Sequence, residues 1–170
     1  MMPRTLLLYG ALSVAGPAHA NPLRAAALDA FARNCLSPHL TAQTAQAELA
    51  PHGRYDFYDL RPFSADAPSA PTTQVTPKTD RRCEIAFDGD DGQAAAETAA
   101  AALEGERIRS EAPMPLAPRI DEITTLRGAR FLNPARIAVV ETGTRPGPNG
   151  PETFLRVERL TPDATREALE

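Results

Sequence analysis

The chain has 170 residues, a formal net charge of −4, and 42% hydrophobic residues, many of them alanine; aromatics make up 5% and tryptophan is absent. That is enough chain for one domain with a modest core. Mild acidity, a single lysine (Lys78) and no basic run argue against nucleic acid as a partner, because phosphate binding relies on clustered cations.

Residues 1–20 read as a secretory signal peptide. Arg4 leads into the apolar stretch Leu6–Ala15, Gly16 and Pro17 break it, and Ala18-His19-Ala20 forms a small-x-small cleavage site. The apolar run is shorter than the roughly 20 residues a bilayer span needs, and no second run approaches that length, so no membrane span is expected. Cleavage after Ala20 leaves 150 residues with a net charge of −5. Asn21 stands where a lipoprotein would carry cysteine, and no twin arginine appears. The expected location is the periplasm, or the medium if the protein is fully secreted.

Pro22 suits the first turn of a helix, and Leu28, Phe31 and Cys35, with Ala25 and Ala32, form one face over about 22–35. Ser37-Pro38 ends it. Thr41 caps a second helix over about 41–50, with Ala42, Ala45 and Leu49 on one side, and Pro51-His52-Gly53 stops it. Residues 54–60 read as an aromatic-rich strand. From 62 to 80 the chain is rich in Pro, Ser, Thr and Ala, which predicts a long, mobile surface loop within the domain.

Residues 82–88 form the clearest strand. Cys83, Ile85 and Phe87 share one face; Arg82, Glu84 and Asp88 share the other. Asp91 then caps an alanine-rich helix to about Leu103, with Gly105 as its stop. Residues 106–134 show no clear period, because Pro113, Pro115 and Pro118 interrupt the apolar positions. A hairpin follows: 136–142, a turn cluster at 146–151, and 153–160. Thr161 and Pro162 open a short C-terminal helix. The predicted fold is a small two-layer α+β domain over 21–170, a mainly antiparallel sheet with flanking helices.

The two cysteines, Cys35 and Cys83, lie in different elements and make no C-x-x-C motif. In an oxidising compartment an even pair predicts a structural disulfide, which would offset a thin core. They match no zinc module with His39 and His52.

The chemistry on offer is sparse. His39 and His52, the histidines left after export, sit in turns, and the sequence places no acid or nucleophile beside them. Asp88-Gly89-Asp90-Asp91-Gly92 fails the calcium-loop pattern, with Gly92 at the fifth position and Ala99 at the twelfth, so no metal is assigned. No nucleophile elbow, P-loop, dinucleotide fingerprint or H-E-x-x-H appears, and no cofactor is implied. Pro68-Ser69-Ala70-Pro71 is a P-x-x-P core without an adjacent cation. Tyr55, Phe57, Tyr58 and Phe63 form the densest aromatic group, and Tyr55 and Tyr58 are the candidate contact surface. The arginine bias fits a GC-rich bacterial genome.

The F-x-x-x-C helix (Phe31 to Cys35), the C-x-I-x-F strand (Cys83, Ile85, Phe87), the signal peptide and the C-terminal hairpin together resemble small uncharacterised exported two-cysteine proteins of alphaproteobacteria. That resemblance carries no activity and no site residue. The expectation is a non-catalytic periplasmic domain that binds an envelope protein or a small ligand, or assists one, with its oligomeric state open. The alternative is a small hydrolase or metal-assisted enzyme using His39 or His52.

Overall fold

A computed structural model describes residues 22–63, 67–71, 73–105, 111–113, 124–133 and 136–170. The expected signal peptide lies outside them. The order is α1 (Pro22–Asn34), α2 (Ala42–Leu49), β1 (Arg54–Asp59), β2 (Thr79–Asp88), α3 (Gly92–Gly105), β3 (Thr124–Asn133), β4 (Arg136–Gly147), β5 (Gly150–Leu160) and α4 (Pro162–Leu169). The α+β class, with an antiparallel sheet and flanking helices, is the one the sequence predicts.

The local causes are visible in the helix ends. Thr41 accepts a hydrogen bond from the Thr44 amide and Thr161 from the Ala164 amide, so each satisfies an otherwise orphaned donor. Pro162 sits where its missing N–H costs nothing. Gly92 starts α3 against the sheet, where a Cβ would come within 2.7 Å of Thr125 Oγ1. Glycine alone allows that approach.

The strands are all antiparallel in the order β1-β2-β5-β4-β3. β3 falls in the stretch whose periodicity the sequence hides: Gly128 and two arginines, Arg127 and Arg130, dilute its alternation. The β4–β5 hairpin is longer than its Pro/Gly cluster implies. Pairing continues through Pro146↔Pro151 to Gly147↔Gly150, leaving only Pro148 and Asn149 as the loop. Gly150 adopts φ +118°, which the tight turn needs and side-chain-bearing residues resist.

Strand alternation divides the sheet into two faces. One buries Phe57, Cys83, Ile85, Phe87, Ala138, Val140, Leu155 and Val157 under Phe31, Leu36 and Leu49 of the α1–α2 region and Ala95, Ala99 and Leu103 of α3. Each large apolar side chain so buried stabilises by about 1.5–3 kcal/mol. Among the described residues, the helical cover of the opposite face is at the β3 end, where Ala164 of α4 packs with Ala129, Ile137, Val139 and Leu160. The fourth helix thus adds a partial layer behind the sheet.

Both sheet edges are guarded by a short contact. Ser69 bridges Asp59 on β1, and Glu111 bridges Arg130 on β3. Such pairing blunts an edge that would otherwise recruit strands.

Cys35 and Cys83 form the predicted disulfide, with Cα atoms 5.3 Å apart and both residues 1% exposed. It ties the end of α1 to the middle of β2. Intact protein should show no free thiol by mass spectrometry under non-reducing, denaturing conditions. The bridge spans 48 positions. Closing such a loop stabilises by roughly 4 kcal/mol in the chain-entropy model, so the Cys35→Ala, Cys83→Ala double variant should lose about that much in a urea titration.

Candidate functional site

On the half of the second face that α4 leaves uncovered, charged side chains occupy most of the alternate positions. The register sets them in rows: Asp88, Glu152 and Arg145; Arg54, Ala86, Phe154 and Gly143; Asp56, Glu84, Arg156 and Glu141; Tyr58, Arg82, Glu158 and Val139. Like charges face each other at Asp56↔Glu84 and Asp88↔Glu152, which alone would be unfavourable. Arginines resolve this by reaching between rows.

Each guanidinium bridges two carboxylates. Arg54 holds Asp88 (2.6 Å) and Glu152 (2.6 Å); Arg145 holds Glu152 (2.7 Å) and Glu84; Arg156 holds Glu84 (3.5 Å) and Glu141. The result is one alternating chain, Asp88–Arg54–Glu152–Arg145–Glu84–Arg156–Glu141. Beside it runs a second, Asp56–Arg82–Glu158, with bonds of 2.9 and 2.8 Å. Burial opposes the charges of Arg54, Arg82 and Arg145, but hydrogen bonds to their carboxylates outweigh it and raise all three above the ordinary arginine value. Hydrogen bonds from Asn149 and Arg54 lower the Asp88 carboxyl. Each of these four shifts favours the charged form.

Phe154 lies within this layer, with the Arg145 guanidinium 4.9 Å and the Arg156 guanidinium 5.4 Å from its ring centre. Two cations share one aromatic ring. Ala86 and Gly143 flank Phe154 in its row, and their small size leaves the row low. A hollow of about 350 Å³ lies here, lined by the four lattice arginines and by Asp56, Glu84 and Glu152, together with Ala86, Tyr55, Thr73 and Pro148.

A second ionic group lies on the helix-covered face. Arg159, 1% exposed, donates to Asp80 (2.8 Å) and Asp59 (2.7 Å) and to the Arg61 carbonyl (2.8 Å). Arg136 pairs with Asp80, and Arg81 reaches Asp59 and the Ser37 carbonyl. A β-bulge causes this. Asp80 is an extra residue in β2 between Thr79↔Leu160 and Arg81↔Arg159, which turns its carboxylate toward Arg159.

The residues singled out in the sequence go to separate places. His39 meets Phe63 edge-on, with ring centres 6.5 Å apart, and His52 sits in the α2–β1 turn. Neither lines the hollow. Asp88, Asp90 and Asp91 diverge to different partners, Arg54 with Asn149, Thr144, and Arg24. Among the described residues no three His, Cys, Asp or Glu side chains gather as a metal site requires. Tyr55 borders the hollow and is 37% exposed. Tyr58 is a correction: it is fully buried, its hydroxyl hydrogen-bonded to Thr79 at 2.9 Å and its ring under Arg82, so it offers no contact surface.

The Pro/Thr-rich loop makes specific contacts where it is described. Ser69, Thr73 and Thr76 fasten it to Asp59, Asp56, Arg82 and Glu158. The Thr73 and Thr76 hydroxyls find charged partners on the sheet, and the Ser69 hydroxyl accepts from the Asp59 amide.

Comparison with protein-family models, curated proteins and solved structures finds no match. Among the described residues no helix is long and apolar enough to cross a membrane.

Arg159→Met should cost up to about 3–5 kcal/mol, because buried Asp59 and Asp80 each lose a cation and keep only Arg81 (3.6 Å) and Arg136 respectively. Arg33→Ala, at the exposed pair with Asp29 on α1, should cost about 0.5 kcal/mol or less; urea midpoints separate the two. Burial raises the Tyr58 phenol, against the Thr79 hydrogen bond and the Arg82 charge that pull it down. Its contribution to stability is complete below the unfolded value of about 10 and is lost as pH rises through the raised folded value. Tyr58→Phe should therefore show a flatter fall in Tm between about pH 9 and 11 than the parent.

Proposed function

We propose that the protein is an exported, non-catalytic binding or envelope-accessory domain whose working surface is the uncovered half of its sheet. One observation carries this reading. Half of the second face is closed by α4 on an apolar cluster, while the other half is a pre-formed, ion-paired hollow. An apolar partner there would strip water from charges without replacing their hydrogen bonds. The surface therefore suits a partner with polar groups of its own.

The lining supports binding more than turnover. Among the described residues it holds arginines, carboxylates, a tyrosine and a threonine, and no histidine, serine or cysteine. Its guanidiniums and carboxylates are engaged with one another in ion pairs, an arrangement that suits holding a partner. The disulfide is compatible with an oxidising compartment.

Fractionation of cells making the full chain with a C-terminal tag tests the export claim. The tagged protein should appear in the periplasm or medium with a mass beginning at Asn21; retention in the cytosol with residues 1–20 attached would contradict it. A photo-crosslinker at Thr73, beside the hollow, should capture a defined envelope component. The same probe at Gln43, on the exposed side of α2, should not.

A further inference from the structure

We propose that Asn149 is a site of spontaneous covalent modification: it closes on the Gly150 amide to a succinimide, which water opens to aspartate or isoaspartate. The inference goes beyond the reading of the sheet face as a working surface and does not depend on it.

The sequence singles out this residue. Of the four asparagines, Asn21 and Asn133 precede proline, Asn34 precedes Cys35, and Asn149 precedes Gly150. Ring closure needs an N–H on the following residue, which proline lacks. At Asn34 both reacting groups are held in helical bonding. The Cys35 amide donates to the Phe31 carbonyl at 3.0 Å, and the Asn34 side chain donates to the Ala30 carbonyl at 2.9 Å. Gly150 keeps its N–H and carries no side chain to shield it.

The fold leaves the reacting pair open. Pro148 and Asn149 form the loop of the β4–β5 hairpin, and Pro148, Asn149 and Gly150 are all exposed. Apart from its chain neighbours, no described residue comes within 4 Å of the place a Gly150 Cβ would take. Below the turn, the Pro146↔Pro151 rung brings no N–H donor to the ladder. The tip rests on the Gly147↔Gly150 pair and on a side-chain bond from Asn149 Nδ2 to Asp88 Oδ2, 2.9 Å long. The next anchor is Pro151, whose carbonyl takes the Gly89 amide at 2.8 Å. A hairpin end held this lightly opens locally without global unfolding, which frees the backbone rotation that ring closure needs.

The chemistry needs only water. The Gly150 nitrogen attacks Cγ of Asn149. An N–Cγ bond forms, the Cγ–Nδ2 bond breaks, and the proton from the attacking nitrogen leaves with the amide nitrogen as ammonia. Water then adds to one of the two ring carbonyls. Opening at the side-chain carbonyl gives aspartate; opening at the main-chain carbonyl gives isoaspartate, whose backbone runs through the β-carbon.

The consequence falls on the ion lattice. The Asn149 hydrogen bond is the first cause of the lowered Asp88 carboxyl, ahead of Arg54. A carboxylate at 149 has no proton to donate, and it sets a like charge beside Asp88. The Asp88–Arg54 end of the lattice is thereby weakened, next to Pro148 in the lining of the hollow.

Peptide mapping by mass spectrometry tests this on the mature, disulfide-intact protein held at 37 °C and sampled over days. The expected result is progressive conversion at Asn149 to a mixture of aspartate and isoaspartate, with Asn21, Asn34 and Asn133 intact. The rate should rise roughly three- to tenfold from pH 7 to pH 8, because the attacking nitrogen must lose its proton. Asn149→Gln, one carbon too long for the five-membered ring, should abolish the reaction. In Asn149→Asp, the Asp88 carboxyl should titrate at higher pH by NMR than in the parent. Absence of conversion at Asn149 in the folded protein, while a urea-unfolded sample converts, overturns the proposal. So does faster loss at any other asparagine. An Asp88 titration unchanged by Asn149→Asp overturns the link to the lattice.

Discussion

The pairing of β2 with β5 is the constraint on which everything else rests. Cys83, Ile85 and Phe87 stand opposite Val157, Leu155 and Thr153, and Arg82 and Glu84 opposite Glu158 and Arg156. A slip of one residue would place the ion lattice under the helices and the apolar row in water. Three features pin the register. The disulfide joins the centre of β2 to α1, the two-residue turn fixes β5 against β4, and the Asp80 bulge ends the regular ladder. With that pairing set, β1 and β4 complete both faces by alternation alone.

An ionic layer of this size is a weak source of net stability, because removing charges from water offsets much of their attraction. It is a strong source of selectivity among structures. Arg82, Glu84, Glu152 and Glu158 are all under a tenth exposed, so any rearrangement that separates them leaves a buried charge unpaired. The apolar core on the helix side supplies the driving force for folding. The lattice makes alternative registers costly and leaves an ordered polar surface. This division explains how a chain with so many alanines and few aromatics presents a rigid face.

Legibility in the sequence followed the strength of the local signals. The ends of α1, α2 and α4 were readable, because their caps and prolines act within one turn. Cys83-x-Ile85-x-Phe87 showed a buried face directly, and the disulfide followed from compartment chemistry. β3 was not readable, since its stability comes from partners on β4 and not from its own composition. Nor was the site. Arg54-x-Asp56, Arg82-x-Glu84 and Glu152-x-Phe154-x-Arg156-x-Glu158 alternate with period two, and one such strand alone reads as a solvated face. What converts them into a lattice is their alignment across three strand pairs, which depends on contacts distant in sequence. The clue lay in the recurrence of that alternation in separate strands with opposite charges in register. Tyr58 misled for the same reason: its burial is due to Arg82 and Thr79, which lie more than twenty positions away.

The choice of arginine over lysine gains a physical meaning from this geometry. The sequence has one lysine among eighteen cations, and base composition of the genome accounts for such a bias in general. Yet in both ionic groups the cations work as bridges. Arg54, Arg145, Arg156, Arg82 and Arg159 each contact two carboxylates on different strands or rows. A planar fork with five donors spans two such acceptors and can still stack on Phe154, whereas an ammonium is a compact point charge with a larger hydration shell. Lys78, the single exception, sits on the surface opposite Glu167, where no bridging is required. Whatever set the codon usage, the lattice depends on the guanidinium.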